Sequence, residues 1–121
     1  MSNQFEGASV GFVKIAVADF ARACEFYRDT LRLREDFAVE EYGWAQYATG
    51  SVPICLYKAG MGGGDGTPGG DANIQLRVKD ARAAFEQVKE FASKFGEGDD
   101  GTVTFTLTDP DGNTIQIAQV G

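Results

Sequence analysis

The chain repeats itself at half its length. Val13, Ile15, Val17 and Asp19 are matched 61 residues later by Ile74, Leu76, Val78 and Asp80, in a sequence of 121 residues. Each set alternates apolar side chains with the period of a half-buried strand and ends on an Asp placed to cap a helix. Beyond Asp19, Phe20, Ala23, Cys24, Tyr27 and Leu31 recur at helical spacing to about residue 31. Beyond Asp80, the stripe Ala81, Ala84, Phe85, Val88, Phe91, Ala92 and Phe95 does the same. The simple reading is a tandem duplication of a strand–helix–strands module.

The remaining elements follow from period and punctuation. The opening strand covers 10–17, with Phe12, Lys14 and Ala16 on the face opposite Val13, Ile15 and Val17. Strand-like runs cover about 33–40, 42–49 and 52–58, broken at Gly43 and at Gly50-Ser51. In the second module Gly96 ends the helix, and the strand that the repeat would place near 96–100 reads as short or missing. A hairpin over 103–117 turns at Asp109-Pro110-Asp111-Gly112: Asp109 accepts a backbone hydrogen bond, Pro110 presets φ and Gly112 permits a left-handed φ. Between the modules, Ala59 to Asp71 holds seven glycines and one proline and reads as a flexible linker or loop. A phosphate cradle there is disfavoured, because no Gly-Lys-Ser/Thr follows and the next segment is a strand. The organisation is one domain, 1–121, with module one at about 10–58, a linker at 59–72 and module two at about 73–119.

Composition excludes several function classes. Eighteen acids against eleven bases give a net charge of −7, which disfavours nucleic acid and anionic membrane as partners. The charge is compatible with a cationic ligand, although solubility alone explains it. No apolar run approaches the roughly 18 residues of a membrane span, and no signal segment opens the chain, so the expected location is the cytoplasm. Cys24 and Cys55 sit in apolar periodic segments and read as buried thiols rather than a disulfide framework. The chain has no histidine. That removes the commonest general base and metal ligand together, and with them Ser-His-Asp or Cys-His catalysis and imidazole zinc sites.

Three features together resemble one family: the two βαβββ modules, the segment Val-Ala-Asp-Phe-Ala-Arg-Ala-Cys-Glu-Phe-Tyr at 17–27 with Leu31-Arg-Leu33, and the closing Asp-Pro-Asp-Gly-Asn-Thr-Ile-Gln at 109–116. The chain looks like a member of the vicinal oxygen chelate superfamily of glyoxalases, extradiol dioxygenases, fosfomycin-modifying enzymes and bleomycin-resistance proteins. The resemblance spans about residues 10–119 and implies an α+β fold, in which two tandem βαβββ modules form a curled mixed sheet around a cavity with helices outside. It also implies homodimers, some of which build each cavity from two chains. Phe12, Lys14, Ala16, Asn73, Gln75, Arg77, Thr114, Gln116 and Ala118 should then face the cavity. Enzymatic members hold a divalent metal there, at positions that fall here on Phe12, Asn73 and Gln116, with a fourth ligand near Cys55. Phe cannot ligate, and the amides offer only neutral oxygens, so the resemblance carries no metal site and no cofactor to this chain.

The expected function is metal-independent binding of a small organic molecule for sequestration or sensing, of an antibiotic-resistance-like kind. The candidate ligand-binding residues are Phe12, Lys14, Trp44, Asn73, Gln75, Arg77 and Gln116. Against that stand plainer roles: Gln116 and Asn73 satisfying one another, Lys14 and Arg77 reaching the rim, and Trp44 packing in the core or a dimer interface. The alternative function is a lyase, isomerase or dioxygenase with atypical oxygen ligands, or metal-free acid/base chemistry at Lys14, Glu40 or Glu41.

Overall fold

A computed structural model describes residues 3–119, with every side chain among them except those of residues 71 and 73. Strand β1 (Val13–Val17) leads into helix α1 (Phe20–Glu25), which continues as a π-type turn over Phe26–Thr30. Strands β2 (Glu35–Val39), β3 (Trp44–Tyr47) and β4 (Ile54–Lys58) complete the first module. The second module repeats the series: β5 (Asp71–Val78), α2 (Ala81–Gln87), β6 (Ala92–Glu97), β7 (Val103–Thr108) and β8 (Thr114–Gln119). Each module makes one open, curled sheet of four strands, ordered β1-β4-β3-β2 and β5-β8-β7-β6. The first strand of each lies parallel to the last, and the other pairs are antiparallel. The duplication read from the sequence is therefore a duplication of topology. Both helices begin as expected: Asp19 accepts from the Arg22 N–H and Asp80 from the Ala83 N–H, each at 3.1 Å.

The second helix stops well short of Phe95. The sequence reading runs it to Phe95 and finds no full strand after it. The structure ends α2 at Gln87, makes a 3-10 turn over Lys89–Phe91, and pairs β6 with β7 from Ala92 onward. The ladder to β7 overrides a helical period that Phe91, Ala92 and Phe95 fit only by spacing. The opening strand is also shorter than read, because the ladder to β4 begins at Val13 and leaves Phe12 just outside it.

The helix-bearing faces of both sheets share one core. Ile15, Val17, Tyr27, Tyr47 and Leu56 of module one join Val88, Phe105, Leu107, Ile115 and Ile117 of module two. Edge-to-face rings cross the junction, with Phe26 and Phe91 centroids 4.9 Å apart. The closing turn docks there as well. Asp109 is 4 % exposed, and its carboxylate accepts from the Tyr27 hydroxyl at 2.8 Å, the backbone of Asp111 and Asn113, and the Asn113 amide. Asn113 Nδ2 also donates to the Ala16 carbonyl, and Asp111 Oδ1 accepts from the Ala18 N–H at 2.8 Å. The turn of module two is thus bonded to the β1–α1 junction of module one.

Burial pushes the Tyr27 phenol far above its ordinary value, and the Asp109 carboxylate beside it adds to the shift. Burial likewise raises the thiols of Cys24 and Cys55, both of which are free. For an acid whose pKa is raised by folding, the unfolded chain loses its proton first, so stability declines as pH rises. The urea midpoint is expected to be level around neutrality and to fall above about pH 9, where unfolded thiols and then phenols ionise. A midpoint unchanged between pH 7 and 10 would contradict this.

Candidate functional site

The face of each sheet turned away from the core is the candidate site, and the repeat places equivalent residues on it. Lys14 pairs with Cys55 across β1 and β4, and Gln75 pairs with Gln116 across β5 and β8. Both members of the second pair lie 61 residues after their counterparts. The candidate residues fall into two groups, one on each sheet.

On the first sheet the group is aromatic. Phe12, 44 % exposed, meets Trp44 edge to face with centroids 5.4 Å apart. Trp44 also lines an open groove of about 590 Å³ with Phe37, Val39, Tyr42 and Met61. The glycine-rich loop crosses the same face. Gly63 O accepts from Lys14 Nζ at 2.6 Å, and the Gly66 N–H donates to the Tyr57 hydroxyl at 3.2 Å. The Lys14 ammonium stands 5.0 Å from the Tyr57 ring centroid, a cation–π contact. The glycines allow this approach, since a Cβ on Gly63 would sit 2.8 Å from Tyr57 Cβ and 2.9 Å from Trp44 Cε3. Gly63→Val is therefore expected to lift the loop off the sheet at a stability cost of about 1 kcal/mol. Acrylamide quenching of Trp44, the only tryptophan, should then increase, and unchanged quenching would show that the loop does not cover it.

On the second sheet the group is polar. Arg77 Nε donates to Gln75 Oε1 at 3.3 Å, and Gln75 Nε2 donates to Gln116 Oε1 at 2.6 Å. The two glutamines line a pocket of about 350 Å³ together with Ile74, Lys94, Thr106 and Thr114. Asn73 lies on β5, but its side chain is outside those described.

The positions that a divalent metal would use in this architecture do not fit one. Phe12 presents carbon only. The Gln116 carbonyl is occupied by the Gln75 amide. Cys55 is fully buried, its Sγ donates to Gln46 Oε1 at 3.6 Å, and burial, with Asp36 adding to it, disfavours the thiolate that binds metal. Among the described residues no three His, Cys, Asp or Glu side chains cluster as a metal site. No helix among them is long and apolar enough to cross a membrane.

The structure thus joins Phe12 with Trp44, and Gln75 with Arg77 and Gln116, while Lys14 is taken up by the loop. Sequence reasoning misses Tyr57, which the Cys55/Tyr57 alternation within 52–58 could have placed on this face. It also misses Lys94, hidden inside a segment read as helix.

A family model described as the Glyoxalase/Bleomycin resistance protein/Dioxygenase superfamily matches residues 9–117. No curated protein matches the sequence. Among solved structures, a member of that superfamily from Sphaerobacter thermophilus superposes with a TM-score of 0.80 at 22 % identity, covering 93 % of this chain and 98 % of that one. Lactoylglutathione lyase from Agrobacterium tumefaciens gives 0.73 at 15 % identity, covering 93 % of both chains. TnmS3, an antibiotic binding protein from a Streptomyces species, gives 0.72 at 22 % identity, covering 94 % of this chain and 97 % of that one. At these identities the likeness is one of fold.

Proposed function

The chain belongs to the Glyoxalase/Bleomycin resistance protein/Dioxygenase superfamily, and on that premise we propose that it is a metal-independent binder of a small organic molecule, acting by sequestration or sensing. One observation carries the reading: an open aromatic groove, built on the Phe12–Trp44 pair, on a face whose expected metal positions hold no competent set of donors. Stacking on Trp44 supplies most of the affinity on the first sheet, and the amides of Gln75 and Gln116 offer a separate polar anchor on the second. TnmS3, an antibiotic binding protein of the same fold, supports a binding role. The protein acts as a homodimer in the cytoplasm. Phe12, Phe37, Tyr42 and Met61 are left 40 to 64 % exposed, so a second copy would roof this same groove and complete the ligand site, and both cysteines are free thiols.

The test is a thermal-shift screen of cationic, aromatic and acidic small molecules, followed by titration of Trp44 fluorescence with each hit. A hit should quench Trp44 and bind about tenfold more weakly to Phe12→Ala, the loss expected of one stacking ring. Hits indifferent to both Phe12→Ala and Trp44→Ala would place the ligand elsewhere. Conversion of a hit to product by the purified protein would favour a lyase, isomerase or dioxygenase instead.

A further inference from the structure

We propose that the pocket on the second sheet is a subsite for a singly charged carboxylate, with Lys94 as its cationic anchor. This deepens the binding reading above and rests on it. The ladder between β6 and β7 pairs Ser93 with Thr106 and then Gly96 with Thr104, so Lys94 and Phe95 together stand opposite Phe105. That is a bulge, a device that re-aims side chains. Here it divides two neighbours. Phe95 meets Phe85 of α2 edge to face at 4.8 Å, and Lys94 lines the pocket on the open face. Lys94 holds a φ of +54°, left-handed backbone that a lysine adopts at a cost. Such a position in a bulge usually falls to glycine, and a lysine held there at a pocket wall motivates the functional hypothesis.

The pocket chemistry agrees in sign. Its described lining includes no carboxylate, and Lys94 makes no ion pair or hydrogen bond among the described residues. Arg77 holds the Gln75 carbonyl, Gln75 in turn holds the Gln116 carbonyl, and the Gln116 Nε2 is left as a donor. Thr106 adds a hydroxyl. One ammonium with neutral donors suits a single negative charge better than a phosphate dianion, because Lys94 is the one cation among the described lining residues.

The experiment is calorimetric titration of the full chain with benzoate, salicylate and cinnamate, each beside its neutral amide, and with inorganic phosphate. At least one acid is expected to bind about tenfold tighter than its amide, to weaken with added salt, and to outbind phosphate. Lys94→Gln should erase the preference for the acid. Lys94→Gly should also erase it while holding or raising the melting temperature, because glycine relieves the left-handed φ. Acids that bind no better than their amides, tighter binding of phosphate, or an acid preference that survives both Lys94 variants would overturn the subsite. If a neutral or cationic compound binds while every acid fails, only this inference falls. If nothing in the wider screen binds, the binding function falls with it.

Discussion

Asp109→Ala is expected to lower stability by about 3–4 kcal/mol, the range for stripping a buried charged acceptor from several donors. The carboxylate accepts four hydrogen bonds, from the Tyr27 hydroxyl, two backbone N–H groups of its own turn and the Asn113 amide. Tyr27 is fully buried and Asn113 nearly so, and water cannot replace the lost acceptor without opening the joint between modules. Tyr27→Phe removes one of the four bonds and should cost about half as much or less. The two variants, followed by urea denaturation, separate the local turn from the long-range joint. A loss below about 1 kcal/mol for Asp109→Ala would mean that the turn does not tie the two modules together.

Phe105→Ala should cost about 3–5 kcal/mol, the usual price of deleting a buried aromatic. Phe105 is 1 % exposed and meets Phe85 edge to face at 5.4 Å. It also lines a small apolar cavity of about 130 Å³ between Leu31 and Leu33 of module one and Leu76 and Val78 of module two. Truncation would enlarge an existing void at the junction, where neither sheet can move without disturbing the other, so relaxation should recover little. Thr104→Ala, one residue away on the opposite face of β7, should change stability by less than about 0.5 kcal/mol. Similar losses for the two variants would contradict the assignment of the core face.

The fold is legible in the sequence wherever a single buried face imposes a period. Val13, Ile15 and Val17 and their partners at 74, 76 and 78 alternate because one side of each strand meets the shared core. The closing turn is legible as a turn, from Asp109, Pro110 and Gly112. Its docking on Ala16, Ala18 and Tyr27 is not, because a contact about ninety residues away in the chain leaves no local pattern. The strand β6 is hidden for a related reason. Phe91, Ala92 and Phe95 fit a helical period, and the left-handed φ of Lys94 falls on a residue type that does not announce it.

The candidate site divides in the same way. Gln75, Arg77 and Gln116 are placed by alternation within strands, Trp44 by the alternation of β3, and Phe12 by carrying the alternation of β1 one residue beyond its end. The fate of Lys14 depends on where the glycine-rich loop lies, and composition marks that stretch as a loop without saying what it covers. Lys94 depends on a bulge, whose extra residue shifts every side chain beyond it to the other face.

Binding without a metal is tested by elemental analysis of protein purified without a polyhistidine tag, paired with melting curves in divalent metals and in chelator. The expected result is no stoichiometric metal, no metal-specific rise in melting temperature, and ligand affinity unchanged by chelation. One tightly held divalent ion per chain, or a large rise with a single metal, would contradict it and show that other residues supply a metal centre.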